Sequence, residues 1–187
     1  MLIAISGKAG SGKTAAAQHL RDNYGFTVRS FAYPLKEACR IIFSFSETQL
    51  YGTQEQKLEI DPRWGCSARR CLQYVGTDLL RDQMETIMPC IGEDIWIRSF
   101  QEWYSNQPPG TNVVIDDVRF QNEVDAIHKM GGLVISISLP DCGSVESTTL
   151  HSSEKMDLVG CDMYVINNKN VDFFHNFDLA VVLYHKR

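Results

Sequence analysis

The order of apolar runs along this 187-residue chain predicts a three-layer α/β fold built on a mostly parallel sheet. Three observations carry that prediction. Short β-branched runs, such as Leu2-Ile3-Ala4-Ile5 and Val113-Val114-Ile115, alternate with stretches of helical period. A glycine-rich turn joins the first of these runs directly to a helical pattern. Later strand and helix patterns are again separated by glycine and proline breaks, as in Gln107-Pro108-Pro109-Gly110.

Each element follows in turn. The first strand covers 2–5, and the turn Gly7-Lys8-Ala9-Gly10-Ser11-Gly12-Lys13-Thr14 comes next. Ala16, His19, Leu20 and Tyr24 recur at helical spacing and predict a helix over 15–24. Residues 27–32 read as a second strand, and Pro34 opens a helix running to about Phe43. From 44 to 110 the chain is mainly polar-helical. Leu79, Leu80, Gln83, Met84 and Ile87 mark one helix there, and Ile95, Phe100, Trp103 and Tyr104 another. The strand at 113–115 ends in Asp116-Asp117, and the helix over 122–130 is stopped by Gly131-Gly132. A strand over 133–139, a polar stretch over 140–155, a strand over 164–166 and a helix over 171–184 complete the chain. We expect one domain, with a core of 1–43 and 111–187. The helical block of about 44–110 would be a substrate-binding insertion, and 140–155 a short lid.

Bulk composition excludes several classes. Hydrophobic content of 44% with 22% charged residues is that of a soluble globular chain. No apolar run approaches the roughly 20 residues a membrane helix needs, so no membrane partner is expected. The N-terminal apolar stretch is only a few residues long and leads into the glycine turn, which predicts no signal peptide. Six cysteines form no C-x-x-C pair and no zinc-spaced cluster, as expected of reduced thiols in a cytoplasmic protein. The net charge of −5 speaks against a general binder of nucleic acid polymers.

Chemistry enters with residues 7–14, which fit the phosphate-binding loop pattern G-x-x-x-x-G-K-[ST] at every fixed position. Gly7, Gly10 and Gly12 let the backbone turn and carry the amides of Ala9, Ser11 and their neighbours up to phosphate oxygens. Lys13 would reach the β- and γ-phosphates, and the Thr14 hydroxyl would hold Mg²⁺. The α/β fold is therefore expected in its P-loop NTPase form. Asp116-Asp117 stand at a strand end, where a carboxylate lies beside such a loop and can hold a water of the metal shell. Lys36, Arg69, Arg70, Arg81 and Arg119 form a set of cations of the kind phosphoryl transfer needs around donor and acceptor phosphates. Trp64, Gln73 and Tyr74 lie in the insertion, where a ring can stack on a base and an amide can read its edge, although core packing is the commoner use of any one such ring. Tyr33, beside Pro34, is a candidate for the sugar.

Four blocks make the resemblance specific. They are Phe31-Ala32-x-Pro34-Leu35-Lys36, Gln73-x-x-Gly76-Thr77-Asp78-x-x-Arg81, Asp117-Val118-Arg119-Phe120-x-Asn122-Glu123 and His151-x-Ser153-Glu154. In sequence and order they resemble the deoxynucleoside monophosphate kinase family of bacteriophages and large DNA viruses. That resemblance implies transfer of the ATP γ-phosphate to a deoxynucleoside monophosphate (dNMP), giving dNDP and ADP for DNA precursor synthesis, with Mg²⁺. It implies that Lys36, Arg81 and Arg119 serve the acceptor phosphate or the transition state. Asp78, Asn122 and Glu123 would belong to the substrate site, His151, Ser153 and Glu154 to the lid, and Asp117 would be the metal-side carboxylate. Asp116 stands where the family often has a small residue, and Thr14 where it often has Asp. Some members are dimers, which leaves a homodimer open. A viral chain of this kind would work in the host cytoplasm.

Two alternatives remain open at this level. A kinase of phosphomevalonate or dephospho-coenzyme A would keep the fold and change the acceptor. A nucleotide-dependent switch would bind without acceptor turnover. A GTPase, however, wants N-K-x-D for guanine, and Asn168-Lys169-Asn170-Val171-Asp172 puts Val171 where the Asp belongs.

Overall fold

The computed structural model describes residues 1–89, 91–140, 158–170 and 172–185. Its elements begin with β1 (Leu2–Gly7), α1 (Lys13–Tyr24), β2 (Thr27–Arg29), α2 (Tyr33–Phe43), α3 (Glu47–Tyr51) and α4 (Gln54–Leu58). A short hairpin follows, β3 (Ile60–Asp61) and β4 (Cys66–Ser67), then α5 (Ala68–Gln73) and α6 (Ile95–Ser105). The last elements are β5 (Val113–Val118), α7 (Gln121–Lys129), β6 (Leu133–Ser138), β7 (Met163–Ile166) and α8 (Asp172–Tyr184). They fall into two compact units, Met1–Phe31 with Trp103–Arg187, and Ala32–Glu102. The expected lid residues His151, Ser153 and Glu154 lie outside the described residues.

The first unit carries one sheet in the order β2-β5-β1-β6-β7, and every neighbouring pair is parallel. β1 is central, and its residues Leu2, Ile3, Ala4 and Ile5 are all completely buried. An unbroken apolar run suits such a strand because both of its faces are covered. On one face Ile3, Ile5, Val114, Ile135 and Val165 pack with Ala17 and Leu20 of α1 and with Phe173 and Phe177 of α8. Leu2 points to the other face, since side chains alternate along a strand. There it closes on Gly132 together with Ile127 of α7. Helix, sheet and helix make the three layers expected. β1 pairs with β5 on one side and β6 on the other, so the strand order reverses beside its C-terminal end, where open α/β sheets bind ligands.

The strand ends that differ most from expectation are those of β2 and β5, and one contact joins them. β2 stops at Arg29 rather than running to Ala32, because the Phe31 amide leaves the ladder and donates to Asp117 Oδ1 at 2.8 Å. β5 runs on through Asp116 and Asp117 to Val118. Ala4 pairs with Ile115 but Ser6 with Val118, so β5 holds one extra residue there, a bulge of the kind that re-aims side chains.

In the second unit Leu35 and Cys39 of α2, Phe45, Leu50 of α3, and Ala68 and Cys71 of α5 form the core. The helix expected around 79–87 is replaced by other turns. α5 widens into a π-helix over Tyr74–Leu79, and 3₁₀ turns at Met84–Thr86 and Gly92–Asp94 follow. The amides of Leu80 and Asp82 reach back five residues to Val75 and Thr77. Meanwhile the Trp96 indole donates to the Gly76 carbonyl at 3.0 Å, and an outside donor of this sort opens the helical ladder. The β3–β4 hairpin, also unexpected in a helical block, turns through Pro62, Arg63, Trp64 and Gly65.

That hairpin rests on Asp61, which is 4% exposed. Its carboxylate accepts from Arg63 Nη2 at 2.6 Å, Arg63 Nε at 3.0 Å and Gln49 Nε2 at 2.9 Å. The Arg63 guanidinium first, and then the Gln49 amide, holds the Asp61 carboxyl well below the usual carboxylate range. The folded chain therefore binds this proton less readily than the unfolded one, so the stabilisation is full at neutral pH and is lost as pH falls through the carboxylate range. Asp61→Asn should lower Tm at pH 7, and the gap to wild type should narrow as pH falls through about 4. Melting curves from pH 7 to 3 check this, and a gap independent of pH would refute it.

Among the described residues, Cys39, Cys66, Cys71 and Cys161 are free thiols, and no helix is long and apolar enough to cross a membrane.

Candidate active site

β1 delivers the glycine loop to the C-terminal edge of the sheet. Gly7, Gly10 and Gly12 have φ of +150°, +78° and +107°. A side chain at Gly7 would meet the Ile137 carbonyl and the Ser11 hydroxyl, each at 2.5 Å. Within the loop the Ser11 amide donates to Lys8 O at 3.1 Å. α1 then begins at Lys13, with no side-chain cap and no acidic residue in its first turn. The first amides of a helix have no partner within it, and their dipoles sum to a partial positive charge. Here neither a capping oxygen nor a carboxylate competes for them, which is the arrangement an anion needs.

Lys13 Nζ donates to Gly7 O at 2.6 Å and to Lys8 O at 2.8 Å, so the ammonium lies across the loop. Thr14 is exposed one residue further on. The loop is braced from behind by Asn167, just past β7, whose Nδ2 donates to the Ser11 carbonyl at 2.9 Å.

The bulge in β5 places Asp116 and Asp117 opposite Ile5, two residues before the loop begins at Gly7. One oxygen of Asp117 takes the Phe31 amide, which ties the end of β2 to the end of β5. Arg119 and Phe120 follow. Their amides both donate to Glu123 Oε2, at 2.7 and 3.1 Å, and Glu123 is 3% exposed. Glu123 thus braces the turn that presents Arg119, and Asn122 stands beside it on α7. Glycine cradle, paired carboxylates and Arg119 are all in the first unit, at the same edge of its sheet.

The second unit holds the other candidate cations on adjoining elements. Arg69, Arg70, Gln73, Tyr74, Asp78 and Arg81 lie on the continuous run formed by α5, the π-helix and the turn after it. Lys36, on α2, joins this group through its neighbour Leu35, whose side chain fills the space a Cβ on Gly76 would need. The Lys36 ammonium lies 4.5 Å from the centre of the Tyr51 ring, and the Tyr51 hydroxyl donates to Glu37 at 2.8 Å. Arg70 lies 5.6 Å from the Tyr74 ring centre, and that ring is half exposed. Arg69 donates to the Gln54 side chain at 2.7 Å. Arg81 is buried, at 6% exposure, and pairs with Glu93 at 4.0 Å. A π-widened turn is frequent at functional sites, and this one ends two residues before Arg81.

Trp64 has a structural task. Its indole N–H donates to the Phe43 carbonyl at 2.9 Å and its ring meets Phe43 edge-on, while Arg63 donates to Ser44 O at 3.2 Å. Together they cap the C-terminal end of α2, where a cation and donors are favourable. Among the described residues no group of three or more His, Cys, Asp or Glu could hold a metal ion without further ligands.

Asn167 and the bracing role of Glu123 were beyond the motif reading. The one available signal for Asn167 was a polar residue immediately after the apolar run Tyr164-Val165-Ile166.

Comparison with known proteins finds similar chains. The profile of the deoxynucleotide monophosphate kinase family matches residues 42–176. A protein of Acanthamoeba polyphaga mimivirus named "Putative deoxynucleotide monophosphate kinase" is 46% identical over 186 residues, spanning 97% of this chain and 96% of its own. Among solved structures, one described as a "putative kinase" from Chloroflexus aurantiacus is similar over 99% of this chain and 96% of its own, at 12% identity and a TM-score of 0.45. The APS kinase of Mycobacterium tuberculosis, in complex with AMPPNP and APS, is similar over 97% and 95%, at 12% identity and a TM-score of 0.42.

Proposed function

The chain belongs to the deoxynucleotide monophosphate kinase family, and from that premise we propose that it transfers the γ-phosphoryl group of ATP to the 5′-phosphate of a deoxynucleoside monophosphate, releasing ADP and the diphosphate. The observation that carries this reading is the glycine cradle running into an uncapped helix N-terminus at the sheet's switch point. A triphosphate chain matches it in charge and in its need for convergent N–H donors.

The residues present fit a magnesium-bound substrate. Thr14 is exposed in the first turn of α1, and Asp116 and Asp117 stand opposite Ile5, on the strand that leads into the loop. Thr14 would hold the metal directly and Asp117 through water, the nucleotide's own oxygens completing the shell. Bound there, the ion would neutralise charge on the transferring phosphate.

The protein's part is positioning and charge. The nucleophile is an acceptor phosphate oxygen, already anionic near neutral pH, so no general base is required. Loop amides hold the donor phosphates, and Lys13 leaves the loop carbonyls to follow the γ-phosphoryl group. Arg81, Lys36 and Arg119 offset repulsion between the two polyanions, the arginines through planar forks that fit phosphate oxygens. Asp78, Gln73, Tyr74, Arg69 and Arg70 are assigned to the nucleotide acceptor, with base stacking most readily supplied by the exposed Tyr74 ring.

An ADP-release assay with ATP and a panel of acceptors tests the reading. The panel comprises the four dNMPs, their ribose counterparts, phosphomevalonate and dephospho-coenzyme A. ADP release should depend on at least one dNMP. Release that depends only on a non-nucleotide acceptor, or on no acceptor, would overturn it.

A further inference from the structure

We infer that Asn167 is a positioning residue for phosphoryl transfer, which aims the Gly12 amide at the donor phosphates by holding the Ser11 carbonyl on the opposite side of the same peptide plane. The inference rests on the ATP-binding reading above and goes beyond it, because the motif itself contains no residue near position 167.

Asn167 is 8% exposed, at the point where β7 ends. Each of its polar groups in view is committed. The backbone amide donates to Ser138 O at 2.8 Å, continuing the sheet. Side-chain Oδ1 accepts from the Lys169 amide at 2.9 Å, closing a tight turn in which Lys169 has φ of +59°. With Oδ1 held there, Nδ2 faces the loop and donates to Ser11 O at 2.9 Å. The Asn167 amide is therefore fixed in orientation from both ends.

Consequences for the loop follow from peptide geometry. In a planar trans peptide the carbonyl and the N–H point in opposite directions. Fixing Ser11 C=O toward Asn167 consequently turns Gly12 N–H away from it, to the side opposite Asn167 at the N-terminal end of α1. The close approach also explains the glycine. A Cβ on residue 12 would lie 2.5 Å from Asn167 Nδ2 and 3.2 Å from the Phe173 ring. Phe173 belongs to the core between α1 and α8 and keeps that wall in place. Without Asn167 the Ser11–Gly12 peptide is free to rotate, and one donor of the phosphate cradle is lost.

The test measures binding of ATP and of inorganic tripolyphosphate by calorimetry, with steady-state kinetics, for wild type, Asn167→Ala and Asn167→Asp. Losing one aimed donor to a charged oxygen should weaken both ligands alike, by about ten- to a hundredfold, with KM for the dNMP moved by less than about twofold. Asn167→Asp should lose at least as much as Asn167→Ala, since its carboxylate sets an acceptor against Ser11 O and a negative charge beside the phosphates. A purely structural residue would lower Tm and leave the affinities of the folded protein unchanged, and that result would overturn the inference. Should both variants fail to fold, NMR of the wild type decides: the Gly12 amide proton should shift downfield on adding tripolyphosphate, and an unmoved signal refutes the role. A wild-type chain that binds neither ATP nor tripolyphosphate would refute the kinase reading and this inference together. Failure of the Asn167 role alone is different, since wild type and variants would then bind equally well.

Discussion

Lys13→Ala should lower kcat by about 10³-fold or more, equivalent to about 4 kcal/mol of transition-state stabilisation. The expected size follows from where the ammonium sits. It spans the mouth of the loop, 2.6 Å from Gly7 O and 2.8 Å from Lys8 O, so a small rotation of a flexible side chain brings it onto a phosphate bound in the cradle. The positive end of α1 and the loop amides are fixed and cannot follow the transferred group, whereas a lysine side chain can. Fold stability should change little, because Lys13 is the first helical residue and alanine is the better helix former. The check is single-turnover kinetics with a saturating dNMP, alongside circular dichroism. Turnover within about threefold of wild type would show that the motif lysine does not touch the reacting phosphate, a smaller loss than removal of one transition-state donor causes.

Arg81→Ala should raise KM for the dNMP by about 30- to 100-fold and lower kcat, while KM for ATP moves less than about threefold. Few arginines are as buried as this one, at 6% exposure, and its partner Glu93 has a side chain that is 78% exposed at 4.0 Å. A surface carboxylate at that distance adds little to a guanidinium's stability. The planar fork of a guanidinium fits two oxygens of a phosphate dianion at once. Arg81→Lys should restore only part of the activity, because an ammonium cannot present a planar two-pronged donor. Equal losses toward ATP and dNMP, with a matching fall in Tm, would mark Arg81 as a structural residue of the second unit.

Some of this was legible in the amino-acid sequence because it is written locally. The loop from Gly7 to Thr14, the apolar strands and most helix bounds depend on residues a few positions apart, whose spacing acts through backbone dihedrals and side-chain period. α2, α6, α7 and α8 therefore lie within two residues of expectation. The stretch after α5 failed for an equally physical reason. Gly76 packs on Leu35 from α2 and receives a hydrogen bond from Trp96, twenty residues away, and those contacts widen the helix where periodicity alone predicts a regular one.

What tertiary structure alone decided is the set of contacts that orient the chemistry. Composition and motif establish that the chain carries a phosphate cradle, a carboxylate pair and a scattered group of cations. They are silent on the sheet order that brings β5 and β6 to either side of β1, on the bulge that sets Asp116 and Asp117 opposite Ile5, and on the Asn167 brace 156 residues from Ser11. Local sequence sets which conformations each segment favours, because those preferences depend on near neighbours. Direction at a reacting centre comes from hydrogen bonds between segments distant in the chain, and these exist only once the sheet has assembled.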